Sequence, residues 1–170
     1  MTYARNKALS LVELLCCITL LGVFASIGLP GFANLLEHYR NETLRHELAS
    51  ALQAARAYSI LHNHGTELCG SRTGDHCDST WAKGWRIQHT HAPIQLFQTH
   101  LDGTQTLSWK GFSKTIRFQP DGTTPISNGR FTLCNQKKEA VWQLVLNRQG
   151  RVRHVKGQDP LDRSQPCQNS

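Results

Sequence analysis

From Leu9 to Leu29 the chain is an apolar run, LSLVELLCCITLLGVFASIGL, and Glu13 is the one charge within it. At ~1.5 Å rise per residue, those 21 residues span about 30 Å as a helix, the thickness of a bilayer core. Pro30 and Gly31 follow, and then the pattern becomes amphipathic. Leu44, Leu48, Ala51, Ala55, Tyr58 and Leu61 recur at helical spacing, while Glu42, Arg45, Gln53 and Arg56 lie off that stripe. The spacing predicts one long helix of about 50 residues whose first half is uniformly apolar and whose second half packs one face on a core. Gly65 is the expected stop.

Beyond Gly65 the period shortens. WRIQH, IQLFQTH, TLSWK, TIRFQP, RFTLCN, AVWQLVLN and RVRHV read as strands. DGT at 102–104, PDGTTP at 120–125 and SNGR at 127–130 read as turns. A long helix followed by a run of strands predicts an α+β fold with an antiparallel sheet packed on the helix.

Charge sharpens this picture in one region. The whole chain carries 19 Lys and Arg against 12 Asp and Glu, a formal +7, which favours anionic partners. Residues 130–156 hold seven of those cations (Arg130, Lys137, Lys138, Arg148, Arg151, Arg153 and Lys156) with Glu139 as the lone acid. AVWQLVLN, RQG and RVRHV form a predicted hairpin with Gly150 supplying backbone freedom at its turn. On the second strand Arg151 and Arg153 share a face, ~7 Å apart along it, close to the separation of adjacent backbone phosphates. Guanidinium forks grip phosphate bidentately, and Arg148, Lys156, Lys137 and Lys138 would extend the contact. Charged side chains on a sheet edge also discourage edge-to-edge pairing, so solubility explains the same residues equally well.

Six cysteines fall as Cys16 and Cys17, Cys69 and Cys77, and Cys134 and Cys167. An even count behind an apolar helix points to an oxidising compartment and disulfides. A Cys69–Cys77 bridge would fix the loop after the helix, and a Cys134–Cys167 bridge would tie down the tail; spacing leaves the pairing open. His62, His64 and His76 near Cys69 and Cys77 raise a metal site, but the closely spaced Cys pairs of zinc knuckles are absent from the sequence. His89 and His91 would offer two ligands from one strand face without a neighbouring carboxylate. Neither a nucleophile-elbow motif nor a P-loop occurs, and the sequence predicts neither enzyme activity, nor a metal, nor a cofactor.

The N-terminal stretch KALSLVELL resembles the processing site of type IV pilins and type II secretion pseudopilins. The resemblance implies a basic leader, residues 1–8, cut by a prepilin peptidase between Ala8 and Leu9, with N-methylation of Leu9. The family's usual Gly and Phe are replaced here by Ala8 and Leu9. It further implies a filament-core and membrane helix over 9–30, an amphipathic helix over 31–64 and a β-rich head over 65–170. Glu13, five residues into the mature chain, would neutralise a neighbouring subunit's N-terminal amine during filament assembly. Arg5 and Lys7 place the N-terminus in the cytoplasm, and so the head outside the bacterial inner membrane.

The order of helix and strands resembles the GspH/FimT branch of minor pilins and pseudopilins, with a β-sandwich-like head. FimT-like members carry a C-terminal GRxR motif that contacts DNA, and Gly150-Arg151-Val152-Arg153 matches it. The resemblance implies a minor pilin that binds double-stranded DNA through its phosphates during natural transformation. A pseudopilin of a type II secretion filament and a purely structural minor pilin are the alternatives.

Overall fold

A computed structural model describes residues 11–89, 95–100, 106–161 and 167. Ala8, Leu9, His91 and the expected turn at 102–104 lie outside the described residues. Helix α1 runs from Leu11 to Leu61 without interruption at Pro30. The chain divides into two compact units between Glu42 and Thr43.

The first unit is the apolar half of α1. Leu11, Val12, Leu14, Leu15, Ile18, Leu20, Leu21, Val23 and Phe24 are all exposed, the surface expected of a helix made to sit in lipid or against other helices. By length and composition it can cross a membrane.

In the second unit the α1 stripe meets two four-stranded antiparallel sheets. One is built from β1 (Thr66–Gly70), β2 (Gly84–His89), β3 (Gln95–His100) and β5 (Ile116–Phe118), in the order β3-β2-β1-β5. The other holds β4 (Thr106–Gly111), β6 (Gly129–Cys134), β7 (Ala140–Leu146) and β8 (Val152–Lys156), in the order β4-β6-β7-β8. Leu44, Leu48, Leu52 and Ala55 of α1 share one core with Leu68, Trp85, Ile87, Ile116 and Phe118 of the first sheet and with Phe131, Leu133, Trp142, Leu144 and Leu146 of the second. Alternation along β7 explains the layering: Trp142, Leu144 and Leu146 point into the core, leaving Gln143 and Val145 for the outer face.

Several sequence expectations are corrected here. Leu61 is 79% exposed, because α1 ends at that residue and Asn63, at φ +51°, turns the chain away ahead of Gly65. Leu52 and Ser59 join the buried face in its place. TELCG forms the central strand β1 although only Leu68 and Cys69 look strand-like; Glu67 is accommodated on the outer face between its two register partners, Gln88 and Arg117. Gly129 and Arg130, expected in a turn, open β6.

Disulfides join Cys69 to Cys77 and Cys134 to Cys167. Cys16 and Cys17 are free and exposed on α1.

Candidate nucleic-acid interface

The hairpin of β7 and β8 carries the predicted basic residues. Among the described residues β8 pairs with β7 alone and so forms an edge of its sheet. The turn between them closes through Asn147: its carbonyl accepts from the Gly150 N–H at 3.0 Å, and its side-chain oxygen accepts from the Arg151 N–H at 2.9 Å. Arg151 is thus held by the turn, and the strand proper begins at Val152.

Gly150 has a packing role of its own. It sits at φ +72°, and a Cβ there would lie 2.2 Å from the Gly122 carbonyl oxygen. The same carbonyl accepts a 3.0 Å hydrogen bond from Arg56 Nε of α1. Thr124 adds two more ties, its N–H to the Arg148 carbonyl and its hydroxyl to the Asn147 carbonyl, both at 2.8 Å. The turn that presents Arg148 and Arg151 is clamped to the 119–124 loop and to the helix.

Arg148, Arg151, Arg153 and Lys156 are exposed along this edge. By register Arg153 lies opposite Val145 and shares the sheet's outer face, as Arg151 does two residues earlier. Lys137 and Lys138 are also exposed, but they occupy the β6–β7 turn. That turn is at the Lys156 end of the hairpin, the length of β7 (roughly 20 Å) from Arg148. The cations form a stripe along the edge and not one cluster.

The outer face holds more charge than the hairpin alone. Lys110, Arg130, Val145 and Arg153 stand in register across β4, β6, β7 and β8. Onto this row the chain after β8 folds back. Asp159, 2% exposed, accepts from Arg153 Nη2 at 2.5 Å and from the Leu161 N–H at 3.0 Å, while its own N–H donates to Gln143 Oε1 at 2.9 Å. The Leu161 hydrogen bond, aided by Arg153 and Arg130 against the opposing effect of burial, holds the Asp159 carboxyl below its ordinary range. The tail is then fastened to β6 through Cys134–Cys167.

Sequence reading missed Asp159 and the cross-strand row. Asp159 lies six residues beyond Arg153, past Gly157 at φ +70°, and nothing in its neighbours marks it as a partner. The row was readable only once the register was known.

Among the described residues no cluster of His, Cys, Asp and Glu forms a metal site. His89 hydrogen-bonds the Tyr58 hydroxyl at 2.8 Å, a packing contact between β2 and α1.

Residues 45–150 match the sequence profile of a family described as Type II transport protein GspH. Among solved structures, the chain is similar to the type IV minor pilin FimU of Pseudomonas aeruginosa in two crystal forms. The TM-scores are 0.58 and 0.56 at 20% identity, covering 73% and 69% of this chain and 96% of that one. At this identity the likeness speaks for the fold. No curated protein matches the chain.

Proposed function

The chain belongs to the GspH family of pilin-like subunits, which are structural proteins and not enzymes, and from that premise we propose a minor type IV pilin that binds double-stranded DNA during natural transformation. The observation that carries this reading is the stripe of four exposed cations, Arg148, Arg151, Arg153 and Lys156, on one sheet edge clamped from behind. Arg151 and Arg153, two residues apart, suit neighbouring phosphates, with Arg148 before the strand and Lys156 at its far end. Such binding is steeply salt-dependent and indifferent to sequence, because phosphates position a protein without naming bases.

In this reading a prepilin peptidase cuts between Ala8 and Leu9, Leu9 is methylated, and the apolar half of α1 anchors the subunit in the inner membrane. The N-terminus is cytoplasmic and the head periplasmic, until the subunit joins other pilins and reaches the cell surface. Glu13 pairs with a neighbouring subunit's N-terminus in the filament. Gly150 takes a supporting role: its lack of a side chain lets the turn reach the 119–124 loop.

The second reading is a pseudopilin of a type II secretion filament, favoured by the description of the matching family. There the basic edge would face neighbouring subunits. A titration of the full chain in neutral detergent with double-stranded DNA, at two salt concentrations, separates the two. DNA uptake predicts weak binding that falls steeply with salt and is lost in the Arg151→Gln, Arg153→Gln double variant. Binding unchanged in that variant removes the role assigned to this edge; no binding in the unaltered protein favours the secretion filament.

A further inference from the structure

Phe112 is 85% exposed, in a domain that buries Phe118 and Phe131 completely. It is not on a loose loop. The Phe112 N–H donates to the Asn128 carbonyl at 3.2 Å, and Trp109 Nε1 donates to the Ser113 carbonyl at 2.8 Å, closing the turn around it. Gly111 lies so close to the Trp109 ring that a Cβ there would meet it at 2.3 Å. The turn is built tightly, and its aromatic ring is left outside.

Two exposed lysines flank it, Lys110 and Lys114. An apolar side chain meant for another apolar surface is poorly served by two strongly hydrated ammonium groups. An exposed ring with cations close to it along the chain offers single-stranded nucleic acid two kinds of contact: bases stack on the ring while phosphates meet the charges.

The sheet register adds a second argument. Gly111, Gly129, Leu146 and Val152 form one cross-strand row. Phe112, just past the first of these, and Arg151, just before the last, therefore lie at the same end of the same sheet. Their strands are three spacings of ~4.8 Å apart, about 14 Å, which a few nucleotides of extended strand bridge.

We propose that Phe112 stacks on an unpaired nucleobase, with Lys110 and Lys114 holding the adjoining phosphates, so that this end of the sheet binds DNA whose bases are exposed, single-stranded or frayed. The inference rests on the DNA reading above and adds to it a ligand preference that a phosphate-binding edge alone does not have.

The test uses the full chain in neutral detergent and two fluorescent probes of equal length and charge. One is a mixed-sequence single-stranded oligonucleotide; the other is the same phosphodiester chain with abasic sites throughout. The protein should prefer the oligonucleotide by about fivefold or more. Phe112→Ala should abolish that preference while leaving abasic affinity unchanged, and Phe112→Trp should restore it. A preference that survives in Phe112→Ala overturns the proposal. So does intact DNA binding in Phe112→Ala together with lost co-assembly into filaments, which would assign the ring to a subunit contact. Binding of both probes that depends on Arg151 and Arg153 but shows no base preference removes this proposal and keeps the DNA reading. Salt-dependent binding of neither probe removes both.

Discussion

Arg153 donates to Asp159 at 2.5 Å, so the arginine at the centre of the basic edge already holds a carboxylate of its own chain. Arg153 remains 56% exposed while its partner is 2% exposed. In the proposed DNA-binding reading the carboxylate would occupy a position that a phosphate oxygen takes, and would compete with one. Asp159→Asn should therefore tighten DNA binding and steepen its dependence on salt by about one counterion, read from the slope of log affinity against log salt. Weaker binding in the variant would mean that Asp159 aims Arg153 and does not compete for it.

The same pair predicts an acid limb. A carboxyl whose folded pKa lies below its unfolded value stabilises the fold fully above the unfolded value, and that contribution is lost as pH falls through the folded one. Asp159 is lowered in this sense. So is Glu67, where burial works to raise the pKa but hydrogen bonds from Thr115 and Gln88 and the charge of Arg117 outweigh it. Thermal midpoints should fall as pH drops below about 4, the ordinary carboxylate range. Asp159→Asn should make that limb shallower without removing it, because Glu67 still titrates.

Gly150→Ala should destabilise the head by at least about 1–2 kcal/mol from its left-handed backbone alone. The contact with the Gly122 carbonyl adds to that. Urea unfolding measures the loss. An alanine variant as stable as the parent would show that the turn moves freely off the 119–124 loop.

The two disulfides should differ in worth. Closing the 33-residue separation of Cys134 and Cys167 restricts the unfolded chain by about 4 kcal/mol, against about 2.5 kcal/mol for the separation of 8 between Cys69 and Cys77. Paired serine variants of each, compared by chemical denaturation, should show the larger loss at Cys134–Cys167.

Glu13→Ala should leave a stable, membrane-inserted protein that enters filaments poorly. Co-assembly at the parental level, measured on sheared filaments, would exclude the pairing of Glu13 with a neighbouring N-terminus.

How far the residues announced this structure depends on whether a contact is local. The α1 stripe was readable at Leu44, Leu48, Ala51 and Ala55 because helical period and core contact coincide there. It failed at Leu61, where the helix stops before the side chain can reach a sheet. The β7–β8 hairpin was readable from alternation and Gly150. β1 was not, since its polar Thr66 and Glu67 are settled by partners on β2 and β5, 21 or more residues away. Asp159 escaped for the same reason: its partners are an arginine on β8 and a glutamine on β7, brought to it by a fold-back of the tail.

That fold-back has a mechanical consequence. An edge strand pulled from its free end peels one hydrogen bond at a time, the weakest way to load a sheet. β8 has no free end: its first residues are tied to β7 by the Asn147 turn, and the chain beyond its last residues is bonded covalently to β6. A ligand dragging on Arg151 and Arg153 loads the strand between two anchors, so tension is shared among its hydrogen bonds and passed inward to the middle of the sheet. For a filament subunit proposed to bind DNA, the clip at Cys134 would turn a zipper into a shear joint.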